Sequence, residues 1–231
     1  MRKCSFLFLF YVSCLAASGQ HLSYTRYELL RLGGQENIKN IDNQYEEIKG
    51  DAFFSPQWLA GTLSGKQGTY SSGLKLKFDK YANKLYANFN DTIYDLSSAS
   101  FTGFCIYPNY PDTSIRSVFR KGFVAADFKL DQFMQVLADG KLIFLKQQAI
   151  QIKEVHEDSF LATTKKFIGQ DYYYIGKKDI FAQAVRLNKT GLEQQLSDKW
   201  KDVSQYLKEK GLSASSEEGW ISAIKFYNSL P

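Results

Sequence analysis

Hydrophobic positions recur along this chain with two different periods, and the change at Asn188 separates a strand-rich body from a helical end. Leu74-Lys-Leu-Lys-Phe78 alternates apolar and charged residues, the period-two pattern of a strand with one wet face. Asp79 to Lys84 is a polar connection, and Leu85-Tyr-Ala-Asn-Phe89 resumes the alternation. Asn90-Asp91 then turns the chain into Thr92-Ile-Tyr-Asp-Leu96, so the three runs predict an antiparallel meander. Further on, Phe133 to Leu137 and Lys141 to Leu145 flank Asp139-Gly140, a dipeptide suited to the positive φ of a tight hairpin turn. Val155 to Thr163 and Tyr172 to Ile175 are further strand candidates, and Gly176 to Asp179 is a turn before Ile180 to Leu187. Pro108 and Pro111 lie in a loop, Tyr107 to Asp112, that no central strand can host.

Beyond Asn188 the spacing becomes helical. Thr190-Gly-Leu-Glu193 has capping-box spacing, and Leu192 and Leu196 share a face. Ser197 or Asp198 can cap a following helix carrying Trp200, Val203, Tyr206 and Leu207, which Gly211 stops. Ser215-Ser-Glu-Glu218 is a second capping box, leading into Trp220, Ile221, Ile224, Tyr227 and Leu230, with Gly219 a mild weakness inside that helix. The fold class expected is α+β. A mainly antiparallel meander, as one unit or as β modules over 20–107 and 115–187, is followed by a helical cap over 188–231.

Residues 1–19 fit neither pattern. Arg2 and Lys3 precede an apolar run from Cys4 to Leu15, and Ala17-Ser18-Gly19 forms a small-residue exit before Gln20. This is the order of a secretory signal peptide cut between Gly19 and Gln20. The run is too short for a permanent span, which needs roughly 20 apolar residues to cross about 30 Å. The mature chain is therefore expected without a transmembrane segment, in the periplasm or secreted. A second reading is acylation: Tyr11-Val12-Ser13 before Cys14 is similar to a lipobox, with Tyr11 where leucine is usual. That route places a lipid anchor on Cys14 and the protein on the outer membrane.

Composition narrows the chemistry. The 29 basic and 24 acidic residues give a net charge of +5, which falls by two when Arg2 and Lys3 leave. A balance this small argues against nucleic acid as a partner. Cys4 and Cys14 belong to the leader, so Cys105 alone remains, set in the apolar run Phe101 to Tyr107 and expected to be buried. Only His21 and His156 offer imidazoles, and in an extended segment His156 and Glu157 point to opposite faces, so no metal site is expected. Gly61-Thr-Leu-Ser-Gly65 sets its serine one place late for a nucleophile elbow. The glycines from Gly61 to Gly73 lack the Gly-Lys-Ser/Thr ending of a phosphate loop, and hairpin turns explain them. No catalytic residue, cofactor or metal ligand is assigned.

Aromatic content is the distinguishing feature: 15 tyrosines, 18 phenylalanines and three tryptophans. Most belong to core and cross-strand packing. In Tyr172-Tyr173-Tyr174, alternation sets Tyr173 on the face opposite its neighbours. Tyr107, Tyr110 and Tyr173 are the candidates for a surface that binds a protein or a glycan.

Tyr45-Glu-Glu-Ile-Lys-Gly50, Phe53-Phe54, Trp58 and Gly61-Thr-Leu63, with Asn188-Lys189, Tyr206-Leu-Lys208 and Tyr227 to Leu230 in the tail, resemble small secreted proteins of Bacteroidota-like bacteria. The resemblance implies compartment and lineage and brings no catalytic residue. It also makes Asp91-Thr92-Ile93 similar to the short site at which such bacteria attach O-glycans. The expected role is that of an exported, non-enzymatic envelope or secreted protein that binds a protein or glycan. A carboxylate-dependent hydrolase of glycan or peptidoglycan is the alternative, and a hollow barrel carrying an apolar ligand a third.

Overall fold

The computed structural model describes residues 34–36, 41–65, 68–70, 74–97, 100–125, 129–156, 163–177 and 182–231. The expected leader with its expected Gly19/Gln20 cleavage position, Cys14 and His21 lie outside these residues. The chain is an α+β protein: one mainly antiparallel sheet followed by a C-terminal helical cap. The strands are β1 (Gln35–Glu36), β2 (Leu59–Gly65), β3 (Gly68–Tyr70), β4 (Lys75–Asp79), β5 (Lys84–Phe89), β6 (Thr92–Asp95), β7 (Gly103–Tyr107), β8 (Ser117–Arg120), β9 (Met134–Ala138), β10 (Leu142–His156), β11 (Thr163–Lys177) and β12 (Gln183–Val185). The helices are α1 (Lys189–Gln195), α2 (Trp200–Lys210) and α3 (Glu217–Ser229).

Strand order is β1-β6-β5-β4-β2-β7-β8-β9-β10-β11-β12, with β3 against the far half of β2. The meander over 74–96 forms, β4 pairing β5 and β5 pairing β6, but the face expected to be wet is covered: Lys77 and Tyr86 are buried as Leu76, Phe78, Leu85 and Ala87 are, because residues 41–58 pack over that side. Asn90 and Asp91 turn the last pair at φ 50° and 59°, the left-handed conformation that Asn and Asp tolerate best among residues with a Cβ. The proline loop joins β7 to β8, which pair directly from Gly103↔Arg120 to Ile106↔Ser117, so a single sheet runs across it.

Two further expectations change. The Asp139-Gly140 hairpin between β9 and β10 is present, but Gly140 is not among the residues with positive φ. Glycine is required there because a Cβ would lie 2.6 Å from the Asn228 amide. That amide lies against the first residue of β10: Leu142 N–H donates to Asn228 Oδ1 at 2.8 Å, and Asn228 Nδ2 donates to the Leu142 carbonyl at 2.9 Å. Secondly, the candidate Val155 to Thr163 is divided: Val155 and His156 end β10 and Thr163 begins β11, the two pairing over all 15 residues from Leu142↔Lys177 to His156↔Thr163, while residues 157–162 lie outside the described ones.

One side of the sheet carries a phenylalanine core. Phe104 and Phe119 stack at 4.7 Å, and Phe78 and Phe133 close around them at 5.1–5.9 Å. Beyond Met134 the packing changes partner. Phe144, Ile175 and Ala138 meet Leu192, Leu196, Val203, Leu207 and Ile224 of the helical cap, with the fully buried Trp220 5.6 Å from Phe144. Between β4, β9 and β10 a gap of about 20 Å³ is left, lined by Phe78, Gln135 and Gln148 among others. Small-molecule sites need roughly 300 Å³ or more. The strand order also has two ends, β1 and β12, so no pairing among the described residues closes a barrel.

Residues 41–58 strap the two halves together. Asp79, fully buried, accepts hydrogen bonds from the Gln44 amide (2.8 Å), the Tyr45 hydroxyl (2.7 Å) and Ala82 N–H (2.8 Å). The Lys77 ammonium bonds Asp42 at 2.5 Å and the Pro56 carbonyl at 2.8 Å, above the Phe53 ring. At the strap's other end Lys49 pairs with β11: its N–H donates to the Lys165 carbonyl and its carbonyl accepts from Phe167 N–H, both at 2.9 Å. Among the described residues, no helix is long and apolar enough to cross a membrane.

Candidate functional site

The three tyrosines singled out in the sequence do not form one surface. Tyr107 ends β7 half-buried, and Tyr110 stands in the following loop with 66% of its surface exposed. Tyr173 lies four strands further along the sheet, under the helical cap. Alternation does set it opposite Tyr172 and Tyr174, but its side is the one that α3 covers. It stacks 5.8 Å from Phe144 and donates its hydroxyl to Glu217 Oε2 at 2.5 Å. Tyr174 is buried on the other side, so Tyr172, at 39% exposure, is the member of the triplet that faces water.

Glu217, Asp171 and Lys146 form the densest charged group near this point. The Lys146 ammonium bonds Asp171 at 2.8 Å and Glu217 at 2.7 Å. Two carboxylates this close have the proximity a glycosidase uses, and such an enzyme needs one carboxyl held protonated near neutrality by an apolar setting. Here the electrostatics run the other way. Burial pushes Glu217 up, but the bonds from Lys146 and Tyr173 outweigh it and hold the carboxyl below its ordinary range. Burial likewise opposes the Lys146 charge, and its two carboxylate partners overcome that and raise its pKa. The phenol of Tyr173 is pushed up to about 12, first by burial and then by Glu217. The group is an ion-paired clamp between the sheet and the start of α3.

The remaining candidates have structural surroundings. Cys105 is buried on β7 and burial pushes its thiol up, which lowers the thiolate fraction a nucleophile needs. His156 ends β10 with Thr163 Oγ1 at 3.4 Å, while Glu157 lies outside the described residues. Among the described residues no three His, Cys, Asp or Glu side chains are grouped to hold a metal. Thr92 sits half-buried opposite Phe89 at the start of β6.

An opening remains along the outer edge of β11. Strand geometry turns the N–H and C=O of every second residue to each edge. Lys49 takes the Lys165 carbonyl and the Phe167 N–H, and β12 pairs from Tyr173↔Val185 to Ile175↔Gln183. Gly169 and Asp171 face the same edge between these two, and no described strand pairs with them there. Ile168 to Tyr172 are five consecutive exposed residues. Beside them lies a groove of about 570 Å³ lined by Gln170, Tyr172, Val185, Arg186 and Leu187 among others. This stretch is not legible in the sequence because an edge is defined by the absence of a neighbour, which a strand's own residues do not encode.

No protein-family model matches the chain, and neither a curated protein nor a solved structure does.

Proposed function

We propose that this is an exported, non-enzymatic protein of the bacterial envelope or its surroundings that binds a partner protein by accepting an extended segment along β11. The carrying observation is the interrupted edge. Lys49 on one side and Val185 on the other already pair with β11 in strand fashion, and between them no described residue bonds the outward backbone groups of Gly169 and Asp171. An added strand satisfies such groups with main-chain hydrogen bonds, and adjoining pockets supply specificity through alternate side chains. The groove beside Tyr172, with Val185 and Leu187, is such a pocket. Export rests on the leader pattern of residues 1–19 and the resemblance to secreted proteins.

The test is a photo-reactive amino acid at Tyr172, irradiated in the envelope of the producing bacterium. A discrete adduct is expected. It persists in Gly169→Ala, which keeps the outward N–H, and disappears in Gly169→Pro, which removes that donor without breaking a bond to β10. Absence of an adduct, or an adduct equally strong in the proline variant, overturns the proposal.

A further inference from the structure

Away from β11, the water-facing side of α2 carries a second surface with its own chemistry. Val203 and Leu207 turn into the core, while Lys201, Ser204, Gln205 and Lys208 follow one another at the three- and four-residue spacing that aligns side chains on one helix face. They line an open groove of about 860 Å³, together with Lys189 of α1, Trp200 and Leu212. Three lysines and one glutamate therefore face this groove, and Glu209 is engaged by the Gln205 amide at 2.9 Å. None of the three lysines forms an ion pair with a carboxylate among the described residues.

Two of the three stand where helix electrostatics disfavour a cation. A cation belongs in the last turn of a helix, as Lys208 and Lys210 are in α2. Lys189 is instead the first residue of α1, and Lys201 lies in the first turn of α2, where the helix dipole opposes a positive charge. Trp200 is only partly buried against the core and presents the rest of its indole to the groove. The Ser204 hydroxyl donates to the Lys201 carbonyl and the Gln205 NH₂ to Glu209, and among the described residues no donor takes the Ser204 oxygen or the Gln205 side-chain carbonyl. Lysines at both ends, with the Lys201 and Lys208 backbone positions about 10.5 Å apart along the helix axis, hydroxyl-binding groups between them, and an indole surface together fit an elongated ligand bearing repeated negative charge and many hydroxyls. We infer that the α2 groove binds an anionic glycan.

Calorimetric titration of the folded mature chain with oligogalacturonate tests this, with the methyl-esterified oligomer as the matched neutral probe. The acidic oligomer is expected to bind, to weaken with added salt, and to change tryptophan emission in a way abolished by Trp200→Phe. The neutral oligomer and the Lys201→Gln/Lys208→Gln variant are expected to bind weaker by about tenfold or more, with the variant's melting temperature unchanged. Failure of the acidic oligomer to bind, equal binding of the esterified one, or retention of binding in the double variant overturns the inference. So does a single-stranded oligonucleotide that binds more tightly and is lost by the same two substitutions. Because Gly169 and Tyr172 are untouched, each of these outcomes is independent of the β11 edge.

Discussion

Glu217 opens α3, and its carboxylate takes hydrogen bonds from Lys146 of β10 and Tyr173 of β11, so its charge state is coupled to the attachment of the helical cap. Its pKa in the folded protein lies below the ordinary 4.5. The tie therefore contributes stability that is fully present above that ordinary value and is lost as the pH falls through the folded one. Thermal melts on acidification below about pH 4.5 should show a steeper loss for the native chain than for Glu217→Gln. Near neutrality the variant should already be weaker by about 1 kcal/mol, a modest figure because water still reaches part of the half-buried carboxylate and screens the tie. Parallel acid profiles of the two proteins would contradict the coupling. Sequence reasoning placed Tyr173 opposite its neighbours correctly, since alternation is local. It could not tell which side was wet, because the covering residue stands 44 positions later. Gly219 shows the same limit. It looks like a weak helix residue, yet a Cβ there would lie 1.8 Å from the Ser213 carbonyl oxygen, so Gly219→Ala should cost about 1–3 kcal/mol in denaturant melts.

The helices were legible in place, and their caps less so. Asn188, not Thr190, caps α1 by accepting from Gly191 N–H at 2.7 Å, and Thr190 lies inside the helix. α2 has no side-chain cap; residues Ser197–Lys199 form a 3₁₀ turn that leads into it. Ser216 caps α3 one place later than the Ser215 box suggests, while Gly211, at φ 65°, ends α2 as expected. Asn188→Ala should therefore lower stability by about 1 kcal/mol and Thr190→Ala by less, read from urea unfolding midpoints. An equal effect of the two would assign the cap to the threonine. β10 was only a short strand in the sequence because Leu142-Ile-Phe-Leu145 is buried on both sides and Lys146-Gln-Gln148 then interrupts the apolar pattern. The pairing of β10 with β11 continues through that interruption, carried by backbone bonds and by partners such as Asp171 and Glu217 that periodicity does not contain.

Across the molecule, sheet and cap share one body because α3 seats on β9 and β10 and the strap joins β4 to β11. The packing clusters part between Phe133 and Met134, inside the sheet, and not at the proline loop. Loop composition marks where a strand must stop, but two strands on either side of a proline can still pair, and β7 and β8 do. The expected leader gives the proposed compartment its own check: the intact mass of protein recovered from the envelope should correspond to a chain beginning at Gln20, and a lipid mass on Cys14 would replace cleavage with acylation. The most direct measurement concerns the β11 edge. Amide hydrogen exchange on the isolated protein should show Phe167, bonded to Lys49, protected and Gly169 and Asp171 exchanging fast, with both slowing when the cross-linked partner is added. Protection of Gly169 and Asp171 in the isolated chain, or fast exchange that persists in the complex, would contradict strand addition as the binding mode.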